Sequence, residues 1–112
     1  MANLPARLDL PIAHTHAMDI LLRIIPPGTY LWALTGSAGL RLQGVDVQVH
    51  DLDIQTNEQT ITILEQCLAQ FMKEPVHFLE SVGMQSLDGK AEIENIEIEI
   101  LANIAHKLPD GS

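Results

Sequence analysis

A short apolar run, a glycine turn and a helical pattern follow one another within residues 30–44, and this order most constrains the fold. Residues 30–35 (YLWALT) are almost wholly apolar, a pattern typical of a strand buried on both faces. Residues 36–39 (GSAG) break the run, and the leucines that follow predict a short helix ending near Gly44. A strand that passes directly into a helix requires a domain of mixed secondary structure.

One amphipathic helix is predicted before this segment and another after it. Thr15 is the expected N-cap of the first, whose apolar residues recur at helical spacing until residues 26–28 (PPG). Residues 56–59 (TNEQ) match a capping box, and the apolar face of the second helix continues from there until Pro75.

Three further strands are predicted, two of them in the second half of the chain. They occupy about residues 50–55, 76–82 and 93–101. A turn region is expected over residues 85–91, and a tight turn at residues 94–95 inside the last strand segment.

Together these elements predict a single α+β (α/β) domain over residues 1–112, with its core in about residues 15–102. A chain of 112 residues is long enough for one hydrophobic core and short for two. Aromatic residues make up only 4% of it, so the core should be aliphatic. We expect a central mixed sheet of about four strands flanked by two or three helices.

The net charge limits the classes of partner that the protein can bind, and the cysteine count indicates its cellular compartment. Six basic residues against fifteen acidic ones give a net charge of −9, so we expect no binding to bulk nucleic acid, which requires basic patches. Cys67 is the single cysteine, which indicates a reducing compartment and predicts a cytoplasmic protein. No apolar stretch approaches the ~20 residues that span a bilayer, so we expect no membrane association.

Asp51 and Asp53 are the first candidate site residues. Positions i and i+2 of a strand point to the same face, so the two carboxylates repel each other unless a cation or a proton joins them. Mg²⁺ or Mn²⁺ is the natural partner, because both ions prefer oxygen ligands. An isolated D-x-D pattern is also common on the solvated face of an edge strand.

Glu97 and Glu99 form a second acidic pair, opposite the isoleucines of a late strand. If that strand neighbours the strand of Asp51, one glutamate completes a cluster of three carboxylates; otherwise both lie on a solvated face. Glu99 lies deeper in the apolar run and is the expected inward residue, with Glu97 as the reserve.

Gly36 and Ser37 lie where a predicted strand passes into a predicted helix. Free backbone N–H groups and a hydroxyl at a helix N-terminus can hold an anion such as a phosphate. The simpler explanation for Gly36 alone is a turn.

Taken in order, these motifs resemble the DNA polymerase beta-like nucleotidyltransferase superfamily, whose pattern is hydrophobic-Gly-Ser, a spacer, D-x-D and a later acid on a strand. The resemblance rests on residues 34–37 (LTGS), 50–54 (HDLDI) and 98–101 (IEIL), within about residues 30–101. It is strongest to the group near the aminoglycoside and lincosamide nucleotidyltransferases and the abortive-infection toxins.

The resemblance implies a nucleotidyltransferase fold and the transfer of a nucleoside monophosphate from a nucleoside triphosphate to a hydroxyl of a small molecule or a protein. It implies that Gly36 and Ser37 bind the triphosphate. Asp51, Asp53 and Glu99 would be the catalytic residues and would ligate Mg²⁺ or Mn²⁺. The alternative is a non-catalytic nucleotide- or partner-binding module, or one half of a toxin–antitoxin type complex.

Members of the superfamily usually present a basic residue to the triphosphate and carry a further domain for the acceptor. Arg41, Lys73 and Lys90 are the candidates for that basic residue, although a solvent-facing helix position is the simpler expectation for Arg41. A partner subunit or a second copy of the chain is expected to supply missing parts. His14 and His16 lack a third metal ligand nearby, and we expect capping or surface roles for them.

Overall fold

The structure, a computed structural model, describes residues 10–104. Its helices in this range are α1 (Ile12–Ile24), α2 (Gly36–Leu42), α3 (Glu58–Cys67) and the 3-10 helix Ala69–Phe71. Its strands are β1 (Trp32–Thr35), β2 (Leu52–Thr56), β3 (Met72–Ser81), β4 (Met84–Ile93) and β5 (Ile96–Asn103). None of the helices in the described range is long and apolar enough to cross a membrane.

The strands form one sheet in the order β1-β2-β5-β4-β3. β2 and β5 pair in parallel, whereas the other neighbouring strands pair antiparallel. The predicted α+β class with a central mixed sheet is therefore confirmed. The sheet has five strands rather than about four, because β4 occupies the segment for which a turn was predicted.

The prediction of a turn over residues 85–91 is wrong for a packing reason. Gly89 lies inside β4, and a Cβ atom built on it would come within 2.9 Å of the Val76 side chain. The Asp88-Gly89 pair therefore marks a close approach of β3 to β4 and not a reversal of the chain. The predicted turn at residues 94–95 is confirmed, since Glu94 and Asn95 both have positive φ between the paired strands β4 and β5.

The core lies between one face of the sheet and the helices α1 and α3. Alternate residues of β2 and β5 point into it and are fully buried, namely Leu52, Ile54, Ile98 and Ile100. The helices supply Ala17, Leu21, Ile61 and Leu64. Because side chains alternate along a strand, Asp53 and Glu99 project from the opposite face of the sheet.

The apolar run in β1 does not form a strand buried on both faces, which corrects the prediction for residues 30–35. β1 lies at one edge of the sheet, where Ala33 is exposed and the preceding Leu31 is 69% exposed. Trp32 anchors the strand, since its indole N–H donates a hydrogen bond to the Ile25 carbonyl at 2.8 Å.

Both predicted N-caps shift along the chain. α1 begins at Ile12, and Thr15 lies inside its first turns with its hydroxyl donating to the Pro11 carbonyl at 3.1 Å. α3 is capped by Asn57, whose side-chain oxygen accepts from the Thr60 N–H at 2.7 Å. The cap chemistry is as expected for α3, one residue later than the start of the predicted capping box.

α3 also ends earlier than predicted. Its last residue is Cys67, and Pro75, the predicted end, lies inside β3. β3 is the other edge strand of the sheet, and its pairing with β4 shifts register between Glu74 and His77. An edge strand with a bulge tolerates a proline, because no hydrogen bond of the ladder is required from it there.

Candidate active site

The parallel pairing of β2 and β5 brings two of the predicted site residues together. Asp53 and Glu99 are register partners, so their side chains stand next to each other on the open face of the sheet. Asp51 lies just before β2 and is exposed, and its charge acts on Asp53. The three carboxylates that the sequence singled out therefore belong to one region of the surface.

Glu97 is placed farther from this group than Glu99. It faces Glu92 on β4, and its carboxylate lies 3.9 Å from the Lys90 ammonium. Its charge has the weakest of the effects that raise the pKa of Asp53, whereas Glu99 has the strongest effect after burial. Between the two glutamates, the geometry favours Glu99 as the partner of Asp53.

Gly36 is the residue that allows the Asp53 carboxylate to lie over the start of α2. A Cβ atom at position 36 would come within 2.0 Å of Asp53 Oδ2, so any side chain there would force the Asp53 carboxylate to move. Gly36 also has φ +65°, a conformation that disfavours any residue with a Cβ. Thr35 and Asp53 are register partners across β1 and β2, which sets this close approach.

Ser37 connects α2 to the loop that leads to Asp51. Its Oγ accepts a hydrogen bond from the His50 N–H at 3.1 Å. The hydroxyl proton is not used in this bond, so the same group can still donate to a bound anion. On the other side of His50, the carbonyl oxygen contacts the imidazole of His14.

Asp88 is a carboxylate at this site that the sequence analysis missed. It lies on β4, on the same face as Lys90 and Glu99, and is only 8% exposed. Its side chain is close enough to hydrogen-bond with Glu99, and its Oδ1 is buried without a partner among the described residues.

A signal for Asp88 was present in the sequence. Residues 87–93 (LDGKAEI) alternate apolar or small residues with charged ones, as expected for a strand with one buried face. The Asp-Gly pair within this run favoured a turn and masked the alternation.

Two carboxyl groups of this region, those of Asp53 and Glu99, have raised pKa values. Burial raises the pKa of Asp53 most, followed by the negative charges of Glu99 and Asp51. The hydrogen bond with Asp88 raises the pKa of Glu99 most, followed by burial and the charge of Asp88, while Lys90 acts in the opposite direction. The hydrogen bond with Asp53 also lowers the pKa of Glu99, so the raised pKa of Glu99 comes from Asp88 and burial, whereas that of Asp53 comes from burial and neighbouring negative charge.

The side chains fit a hard divalent cation in their chemistry. The cluster offers only oxygen ligands, which Mg²⁺ and Mn²⁺ prefer, and a cation would relieve the repulsion that raises the pKa of Asp53. Within residues 10–104, no three His, Cys, Asp or Glu side chains already converge on one point at metal-binding distances. An ion held by Asp51, Asp53 and Glu99 would therefore need side-chain positions other than those in this structure.

The three candidate basic residues differ in where they lie. Arg41 bonds to the loop after α2, with its guanidinium 3.2 Å from the Asp46 carboxylate and 3.1 Å from the Val47 carbonyl. Lys73 pairs with Glu92 at 2.8 Å. Lys90 is the register partner of Glu99, so it is the cation that flanks the acidic cluster.

The structure is similar to the crystal structure of a protein from Thermotoga maritima described as a "putative nucleotidyltransferase", with a TM-score of 0.77 and 31% sequence identity. The similarity covers 88% of this chain and 62% of the Thermotoga protein, so this chain spans less than two thirds of that protein's length. No family model and no curated protein matches the chain.

Proposed function

Because the chain has a nucleotidyltransferase-like fold, as its motifs predicted, we propose that it is a metal-dependent nucleotidyltransferase. The observation that carries this proposal is the contact between Gly36 and the Asp53 carboxylate, with Glu99 in register beside it. A fold alone does not define an activity, but here the acidic groups meet the start of a helix at one place on the fold. The proposed reaction transfers a nucleoside monophosphate from a nucleoside triphosphate to a hydroxyl of a small molecule or a protein.

In this proposal Asp51, Asp53 and Glu99 hold Mg²⁺ or Mn²⁺. When bound, the metal ions stabilise negative charge on the attacking oxygen and on the departing pyrophosphate. The surroundings of Asp53 support this role, since burial and the negative charges of Glu99 and Asp51 raise its pKa and a cation would offset those charges.

Gly36 and Ser37 are proposed to position the triphosphate. Gly36 leaves the space over the first turn of α2 to the Asp53 carboxylate, so a phosphate bound at this helix start would lie next to that carboxylate and to a metal ion held by it. Ser37 Oγ already accepts from the His50 N–H, and its hydroxyl proton remains available to a phosphate oxygen. Lys90 supplies one positive charge at the far side of Glu99.

The chemical step forms one bond and breaks another. The acceptor hydroxyl oxygen attacks the α-phosphorus, the bond from that phosphorus to the bridging oxygen breaks, and pyrophosphate leaves with the electron pair. The hydroxyl proton passes to Glu99 or to water. Holding the reactants in line would supply most of the catalysis.

The proposal is tested by calorimetric titration of the protein with Mn²⁺ and with ATP, GTP, CTP and UTP. We expect metal-dependent binding of a nucleotide that is lost in the double variant Asp51→Asn, Asp53→Asn. The matched control is Glu74→Gln with Glu80→Gln, which removes two charges from exposed positions on β3.

Equal Mn²⁺ affinity in the wild type and in the Asp51, Asp53 double variant would remove the basis for this function. Metal-dependent nucleotide binding without release of pyrophosphate, across a panel of hydroxyl acceptors, would instead favour the non-catalytic binding module. Co-purification of a second protein that restores turnover would identify the missing partner subunit.

A further inference from the structure

Asp51 is reached through a segment without regular secondary structure. After α2 and a turn at residues 43–44, residues 45–50 form neither helix nor strand, and β2 begins only at Leu52. Asp51 is therefore not held by the sheet ladder, unlike Asp53. Its position depends on what holds the residue before it.

The peptide groups of His50 are bonded on both sides. The N–H donates to Ser37 Oγ at 3.1 Å, and the carbonyl lies 2.5 Å from His14 Nε2. A carbonyl oxygen only accepts hydrogen bonds, so Nε2 carries the proton and donates it. Two elements far apart in sequence, α1 and α2, thus hold one residue of the loop between them.

The imidazole of His14 is half-buried. Helical spacing places His14 on the same face of α1 as Ala17 and Leu21, which are both fully buried in the core. Its Nδ1 is buried without a hydrogen-bond partner among the described residues. The ring therefore presents Nε2 to the loop from a helix that is anchored in the core by Ala17 and Leu21.

A restraint on this loop has a clear physical purpose. Asp51 and Asp53 carry like charges that repel each other, so an unrestrained loop would move Asp51 away from Asp53. Removing one partner of a hydrogen bond that orients a ligand typically lowers metal affinity by about 10–100-fold, although the fold is kept.

We propose that His14 is a positioning residue, which holds Asp51 near Asp53 by donating a hydrogen bond from Nε2 to the His50 carbonyl. This inference rests on the proposed function, because it concerns the same carboxylates. Only Nε2 of the imidazole makes this hydrogen bond. Its effect can therefore be distinguished by substitution from the contribution of the His14 side chain to packing.

The test compares His14→Gln with His14→Asn. The glutamine amide can place an N–H where Nε2 lies, whereas the asparagine amide, shorter by one methylene group, reaches only the position of Nδ1. His16→Asn, at an exposed position on the same helix, is the matched control. Two quantities are measured, Mn²⁺ affinity by calorimetry and amide hydrogen exchange of residues 45–51 with α3 as the internal reference.

We expect Mn²⁺ affinity to fall about tenfold in His14→Asn, as for other hydrogen bonds that orient a ligand, and to return close to the wild-type value in His14→Gln. Exchange of residues 45–51 should rise in His14→Asn while exchange in α3 does not change. His16→Asn should match the wild type in both measurements.

Equal Mn²⁺ affinity in His14→Asn and the wild type would overturn the positioning role and leave the proposed function standing. Equal losses in His14→Asn and His14→Gln would also overturn it, since the effect would then come from packing and not from the donor. Absence of Mn²⁺ binding in the wild type would overturn the proposed function and the positioning role together.

Discussion

At the scale of single residues, the site depends on a glycine, Gly36, as much as on the acidic side chains. Gly36 leaves room for the Asp53 carboxylate, and no polar group could take its place without displacing that carboxylate. The glycine of the Gly-Ser motif therefore has a steric role that precedes any contact with a ligand. Substitution of Gly36 should have two effects that can be measured separately, backbone strain and loss of metal binding.

Gly36→Ala should destabilise the fold by about 1–2 kcal/mol, because a residue with a Cβ is placed in a left-handed conformation. It should also abolish Mn²⁺ binding, because the added methyl displaces Asp53. Chemical denaturation and calorimetry measure the two effects. Gly83→Ala is the control, since Gly83 has a similar φ of +73° but open space around its Cβ position. Retained Mn²⁺ binding in Gly36→Ala would contradict the steric role.

Asp88 raises the pKa of its neighbour Glu99. The hydrogen bond with Asp88 is the largest cause of the raised pKa of Glu99. An amide at position 88 can donate to the Glu99 carboxylate and favour its charged form, so Asp88→Asn should lower the pKa of Glu99.

The Asp88→Asn effect is measured by NMR titration of the Glu99 side chain. The control is Asp46→Asn, which removes an exposed carboxylate paired with Arg41, away from the sheet face. An unchanged Glu99 titration in Asp88→Asn would show that the two carboxyl groups do not share a hydrogen bond.

At the scale of elements, local chemistry predicted the kind of each segment better than its boundaries. The alternation of isoleucine and glutamate defined β5, and polar residues before an apolar helical face defined α3. The boundaries moved because neighbouring residues compete for the same role, as Thr56 and Asn57 do at the start of α3. The hydroxyl of Thr56 instead bonds to the Leu31 carbonyl next to β1, a contact that no local pattern contains.

Asn57→Ala should destabilise the protein by about 1 kcal/mol, the usual cost of removing an N-cap side chain. Asn57→Asp is the control, because its carboxylate can still accept from the Thr60 N–H. Urea denaturation monitored by circular dichroism measures both. Equal stability of the alanine and wild-type proteins would mean that another group caps α3.

At the scale of the whole molecule, the acidic face of the sheet sets the pH dependence of stability. Asp53 and Glu99 both have pKa values that are higher in the folded protein than their ordinary values of about 4. Between the ordinary and the raised pKa, the folded state binds more protons than the unfolded state. The contribution of these groups to stability is therefore full below about pH 4 and is lost as pH rises through the raised values.

We expect Asp53 and Glu99 to increase the free energy of unfolding at mildly acidic pH. This contribution should disappear as the pH rises towards neutrality. Mg²⁺ or Mn²⁺ should offset the loss at neutral pH, because a cation that binds only the folded state stabilises it. Urea denaturation at both pH values, with and without the ion, measures this. Glu99→Gln is the informative variant, and a pH dependence identical to that of the wild type would rule out Glu99 as a source of the effect.

The sequence by itself determined the class of the fold, the helical and strand character of most segments, and the places of Asp53 and Glu99 on strand faces, whereas Asp51 lies just outside β2. These properties follow from periods of 2 and 3.6 residues and from capping and turn chemistry, all of which act within a few residues. They were sufficient to select Asp51, Asp53 and Glu99 as candidates.

Only the tertiary structure decided which strands are neighbours and in what register. The parallel pairing of β2 with β5 places Glu99 beside Asp53, and the pairing of β4 with β5 adds Asp88. The bond from His14 to His50 joins residues 36 positions apart. Such contacts depend on how the buried faces of distant segments pack together, and no local period carries that information.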